Sequence, residues 1–143
     1  MQSPILAPAA VLILWSMLML FWVIITRFSA FSKAKINLAE AEAGTRYQDV
    51  ESVLPSEVNW KSHNYTHLME QPTLFYGVVA ILALSGAGAG INLILAWFYV
   101  ALRIVHSLWQ AKVNTLPVRI ALFAISTTVL FALAVNAVRA TLL

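Results

Sequence analysis

SEVNWKSHNYTHLMEQPTLFYGVVAILAL, residues Ser56–Leu84, decides how this chain is read. The stretch starts polar, carries two histidines and a carboxylate, passes a proline, and ends apolar enough to enter a bilayer. Pro55-Ser56-Glu57 has the form of a helix start, with Ser56 as a cap and Glu57 complementing the helix dipole. In the helix that follows, His63, His67 and Glu70 fall at i, i+4 and i+7, on one face with Trp60, Asn64 and Gln71. Pro72 removes one backbone hydrogen bond, which predicts a bend close to Glu70; membrane helices tolerate this when neighbours satisfy the freed carbonyl.

Outward from this stretch the chain is apolar on both sides. Of its 143 residues 61% are hydrophobic and only 10% charged, with a mean hydropathy of +0.81. So small a soluble domain cannot bury that much apolar surface, so the composition is that of an integral membrane protein. The absence of cysteine excludes disulfides, thiolate nucleophiles and cysteine-ligated metals. The net charge of +3 does not point to nucleic acid, because the basic residues are dispersed and mostly flank apolar runs.

Four spans are expected. Residues Pro4 to Ile25 carry no charge, and at about 1.5 Å per residue such a run crosses a ~30 Å hydrocarbon core. No basic residue precedes this run and no A-x-A-like site precedes Arg27, which favours a span over a secretory signal peptide. SGAGAG, Ser85 to Gly90, reads as a tight turn, with a small-residue helix contact as the competing reading. A third apolar helix begins at Ile91, and Pro117 opens the fourth. The expectation is a single all-α domain over residues 1–143, an integral membrane four-helix bundle with helices at about 4–26, 57–84, 91–109 and 117–139. Residues 27–56 form the long loop, in which INLAEAEAG, Ile36 to Gly44, favours a helix by its Ala, Leu and Glu content. The loop side of the bundle carries Arg27, Lys33, Lys35, Arg46, Lys61, Lys112 and Arg119, and the other side only Arg139. The positive-inside rule then puts the loop in the cytoplasm and both termini on the non-cytoplasmic side.

Arg103 is the most informative single residue, since a guanidinium within an apolar helix costs about 2.5–3.5 kcal/mol unless paired or hydrated. Glu70 is the nearest carboxylate to a membrane segment, so a Glu70–Arg103 pair is expected, and it either builds a site or simply holds two helices in register. His106 lies three residues beyond Arg103 on the same face, as a site residue or a hydrogen-bonded packing histidine. Arg119 reads as a snorkelling topology residue on its own. Trp15, Trp22, Trp97 and Trp109 read as bilayer or packing anchors. His63 and His67 also have the spacing of a helical zinc clamp, with Glu70 or His106 as a third ligand, although two histidines alone make no site.

Four spans in about 140 residues, HNYTHLMEQPTLFY on entering the second and YVALRIVH within the third, resemble the MAPEG family, membrane-associated proteins in eicosanoid and glutathione metabolism. The resemblance covers most of the chain. It implies a homotrimer in which glutathione is held between neighbouring subunits near the cytoplasmic face, and in which an arginine keeps the thiol as thiolate for attack on, or isomerisation of, a lipophilic substrate. The family pattern on the second helix is arginine, asparagine four residues on, then glutamate three further. Those positions here hold His63, His67 and Glu70, so only the glutamate matches. Arg103 and His106 match the pair on the third helix, and Arg119 falls where active members place the activating arginine. Gln110 and Phe123 stand where those members commonly have tyrosines. The departures matter, because glutathione carries two carboxylates and histidine does not reproduce arginine's bidentate fork, compensating only when protonated.

The resemblance therefore implies glutathione-dependent transfer or peroxide reduction on a lipophilic small molecule, with Arg119 stabilising the thiolate and Glu70, Arg103, His106, His67 and His63 binding the peptide. The competing expectations are a lipid-binding or structural membrane component that keeps the fold without the glutathione site, and a histidine-ligated metal site. Membrane lipids and further copies of the chain are the other expected partners, and nucleic acid is not among them.

Overall fold

The computed structural model describes residues 3–142. Among these the long helices are α1 (Leu6–Lys33), α3 (Ser56–Leu84), α4 (Ile91–Lys112) and α5 (Leu116–Leu142), and the short α2 (Tyr47–Val50) lies in the loop between the first two. Each of the four long helices is apolar and long enough to cross a bilayer. Their outward faces carry large apolar side chains such as Leu14, Ile25, Leu74 and Phe131. A face of this kind has no aqueous solvent to meet it, so the outer surface suits lipid contact.

α3 and α4 form the centre of the bundle, packed on each other and each against both α1 and α5. Their contact is built around Phe75 and Tyr99, both 0% exposed, whose rings stack with centroids 4.5 Å apart. Leu12, Leu68, Val79, Leu82, Val100 and Leu133 complete the buried apolar cluster. Because lipid is as apolar as leucine, close packing and interhelical hydrogen bonds hold such a bundle, not expulsion from water. Side-chain hydrogen bonds tie it across. Asn64 Nδ2 donates to Ser107 Oγ at 2.8 Å, and Asn136 Nδ2 donates to Asn92 Oδ1 at 2.7 Å. A further tie is a hub at Gln71, whose Nε2 donates to Thr127 Oγ1 at 2.7 Å while its Oε1 accepts from Tyr99 Oη at 3.2 Å.

The helix ends differ in places from the sequence-based expectation. α1 continues to Lys33, seven residues past the expected end at 26, because nothing from Arg27 to Lys33 is a helix breaker. Ser56 is the first helical residue and makes no cap; Pro55, at φ −56° and ψ 140°, occupies the cap position. The INLAEAEAG helix does not form: only a 3-10 turn, Leu38–Glu40, is present, and Gly44 turns the chain at φ 91°. Nine residues are too few to repay helix nucleation from propensity alone. The Asn37 side chain competes for local bonds, accepting from Ala39 N at 3.1 Å and donating to Glu40 Oε1 at 2.7 Å.

SGAGAG is the expected tight turn, with Gly86 at φ 75° and Gly90 at φ 60°. It is also a close contact. A Cβ on Gly88 would overlap Ser3 Oγ and lie 2.9 Å from Ile5 Cγ2. The serine hydroxyl can rotate away, but Ile5 is fully buried, so the start of α1 must shift. Gly88→Ala is expected to destabilise the bundle by about 1–3 kcal/mol. Gly77→Ala, which meets nothing within 4 Å in the middle of α3, is expected to stabilise it by up to about 1 kcal/mol. Helix loss followed by circular dichroism during denaturation in detergent measures both; equal effects would discount the close approach.

Candidate functional site

The loop end of the bundle holds a polar cleft of about 580 Å³. α3 supplies one wall, since the i, i+4, i+7 spacing turns His63, His67 and Glu70 the same way, with Thr66 between them. The end of α1 supplies Arg27, the loop supplies Tyr47 and Glu51, and the facing ends of α4 and α5 supply Gln110 and Arg119. Two carboxylate–imidazole contacts line it. His63 Nε2 lies 2.8 Å from Glu51 Oε1, and His67 Nδ1 lies 3.0 Å from Glu70 Oε2. An ionised carboxylate only accepts, so each contact places the ring proton on the nitrogen that faces it.

The loop is tied across the cleft by a chain of contacts. The Arg27 guanidinium lies 3.3 Å from the centre of the Tyr47 ring, and its Nε donates to Ser62 Oγ at 2.9 Å. Tyr47 Oη donates to Asn59 Oδ1 at 2.7 Å, while Asn59 Nδ2 donates to Glu51 O at 2.9 Å. Desolvation on an aromatic face and a shared hydroxyl hold Arg27 in place without a carboxylate.

Arg103 departs from the expectation. It is 1% exposed, it lines neither the cleft nor the smaller pocket beside it, and the expected ion pair with Glu70 is absent. Its Nη2 instead donates to the His67 backbone carbonyl at 2.9 Å. His67 therefore stands between the two charges, giving its carbonyl to Arg103 and its ring to Glu70. The carbonyl that Pro72 leaves without its usual donor is that of Leu68, the next residue, so Arg103 bonds one carbonyl before the freed one, in a helix that runs unbroken from Ser56 to Leu84. Arg103 Nε and Nη1, and both ring nitrogens of the buried His106, find no hydrogen-bond partner among the described residues.

A smaller pocket of about 150 Å³ adjoins the cleft, lined by Leu116, Ile120 and Phe123 with His67, His106 and Arg119. The His67 ring lies 5.0 Å from that of His106 and 5.4 Å from that of Phe123, centroid to centroid. His67 and Arg119 line both spaces. Arg119 Nη1 donates to Asn114 Oδ1 at 2.9 Å, and Asn114 turns the α4–α5 link at φ 58°. The junction of a polar and an apolar compartment is thus marked by a guanidinium held from behind.

The six residues singled out from the sequence are accordingly divided. His63, His67, Glu70 and Arg119 line the cleft, His106 lines the smaller pocket, and Arg103 braces α3 from the bundle interior. The face expected to unite Trp60, Asn64 and Gln71 with the histidines is also split, since Asn64 and Gln71 turn inward to α4 and α5. For a metal, no group of three suitable side chains comes together among the described residues. His63 and His67 turn to separate carboxylates instead. Arg27, Tyr47, Glu51 and Ser62 were not legible as site residues; only Arg27, the first charge after an apolar run, carried a signal, and topology accounted for it.

Fold and site together define a multi-pass integral membrane protein with a polar cleft at one end of a helix bundle. Residues 5–139 match the model of the MAPEG family, and the chain belongs to that family. No curated protein and no solved structure matches it.

Proposed function

We propose that the protein binds a thiol peptide of the glutathione class in the cleft and brings its sulfur to a lipophilic substrate in the adjoining apolar pocket, as a transferase or as a reductase of lipophilic peroxides. The observation that carries this reading is the position of Arg119 and His67 on the boundary of both compartments. A peptide with two carboxylates and one amine needs cations and an anion at separate points, and the cleft offers Arg27 and Arg119 with Glu51 and Glu70. Its volume lies within the ~300–1,000 Å³ of small-molecule sites. The bound thiol supplies a nucleophile or reductant. Arg119 holds its negative charge, and the apolar lining keeps water from the lipophilic partner.

Assembly as a homotrimer fits this reading. The Glu70 side chain is 63% exposed, and a second copy seated beside α3 would close the cleft on its open side. The distribution of basic residues supports a cytoplasmic cleft with both termini opposite. A second reading has its own support. Arg103, sealed and bonded to backbone, serves as an interhelical brace, which is what a structural or lipid-binding member of the fold requires.

Calorimetric titration of the purified protein with glutathione and with its S-hexyl derivative separates the two. The enzymatic reading expects binding at millimolar glutathione or below, and tighter binding of the S-hexyl compound as its chain fills the space beside Leu116, Ile120 and Phe123. No heat from either ligand would favour the structural reading.

A further inference from the structure

A separate cavity of about 540 Å³ lies on the far side of the Arg27–Tyr47 contact, between the end of α1 and the loop that returns to α3. Its α1 wall carries Ile24, Phe28 and Phe31, and its other wall is the loop on either side of the Gly44 turn. Ile24 and Phe28 are also exposed on the outer face of α1, as are Phe21 and Ile25. Positions 21, 24, 25 and 28 form one helical stripe, which runs about 10 Å along α1 from the lipid-facing surface to the cavity. Extending α1 to Lys33 is what creates this wall, because a helix ending at 26 would leave no floor for it.

The head of the cavity is charged. Arg27, Arg46 and Glu42 line it, two guanidiniums against one carboxylate. Of the other loop carboxylates, Glu40 accepts from Asn37 and Glu51 contacts His63, while Asp49 Oδ2 accepts from the Arg46 backbone N at 2.7 Å without pairing with its guanidinium. Among the described residues neither Arg27 nor Arg46 forms an ion pair. An apolar track leading from lipid to two guanidiniums that outnumber the cavity's one carboxylate is complementary to a molecule with an acyl chain and an anionic head.

We propose that this cavity is a binding site for an anionic phospholipid of the leaflet on the loop side, with its phosphate between Arg27 and Arg46 and one chain laid along Phe28, Ile24 and Phe21. The site borders the cleft and shares the Arg27–Tyr47 stack with it as a common wall, so Arg46, which lines this cavity and not the cleft, is the guanidinium that belongs to it alone.

The full-length protein, released from micelles in a mass spectrometer under non-denaturing conditions, is titrated in parallel with phosphatidylglycerol, phosphatidylcholine of the same chains, and oleate. Preferential retention of phosphatidylglycerol is expected. Arg46→Gln, at the exposed cap position of the short α2 and away from the four long helices, should lower that preference about fivefold, the worth of one basic residue at a charged membrane surface. Arg46→Lys should keep most of it, and Arg139→Gln, at the opposite end of the bundle, should leave it unchanged. Equal retention of the two phospholipids, an unchanged preference in Arg46→Gln, or retention of oleate without phosphatidylglycerol would each overturn the assignment.

Discussion

On the proposed function, replacing Arg119 by alanine is expected to lower glutathione-dependent turnover by about 100- to 1,000-fold, the usual cost of removing one preorganised group that stabilises developing charge. Among the described residues no other cation is placed to substitute for it. Arg103 is sealed behind His67, and Arg27 lies on the α1 side of the cleft, held on Tyr47 and Ser62. His67 shares the boundary, but its ring proton is engaged by Glu70. The loss should fall on kcat, because in the proposed complex the thiolate would form after binding, while the peptide's carboxylates would keep Arg27. Ultraviolet difference absorption of the bound thiolate provides a second readout, absent in Arg119→Ala and partly kept in Arg119→Lys, which preserves charge without the planar fork. Because Arg119 also steadies the α4–α5 link through Asn114, Asn114→Ala is the control, and it should retain the thiolate signal. Full turnover in Arg119→Ala, or a thiolate signal lost equally in Asn114→Ala, would remove Arg119 from the chemistry.

The second large effect is on the bundle itself. Phe75→Ala should destabilise it by about 3–5 kcal/mol, through the cavity left where the ring stacks on Tyr99 and through the lost ring contact. In a bilayer the transfer term is small, so nearly all of this loss comes from packing, and neighbouring rigid helices collapse into the gap only partly. The damage should reach the Gln71 hub, since Tyr99 Oη donates to Gln71 Oε1 from a ring positioned by Phe75. Phe75→Leu, which refills most of the volume, should recover much of the stability. Denaturation of the detergent-solubilised protein followed by circular dichroism tests the series. Equal stabilities of Phe75→Ala and Phe75→Leu would show that the stack is not a determinant.

Some of the site was legible because its spacing is local. His63, His67 and Glu70 lie on one turn-by-turn face of a single helix, and they do line the cleft together. The Arg103 pairing was not legible. Its outcome depends on how α4 is rotated against α3, which puts a backbone carbonyl nearer to the guanidinium than the Glu70 carboxylate. The opposite wall, Arg27 with Tyr47 and Glu51, depends on how a loop with little regular structure folds back, and no periodic pattern encodes that.

By itself the sequence determined that four apolar segments cross a membrane, where they turn, and to which family the resemblance pointed. Apolar length, glycine placement and helical period are properties of neighbouring residues, and a helix must satisfy its own backbone in lipid whatever packs beside it. Only the tertiary structure decided that α1 reaches Lys33 and floors a separate cavity, that Arg103 braces the His67 carbonyl, and that Arg119 stands where a polar and an apolar compartment meet. Those outcomes depend on side chains distant in sequence competing for the same few acceptors, and packing geometry decides which of them arrives.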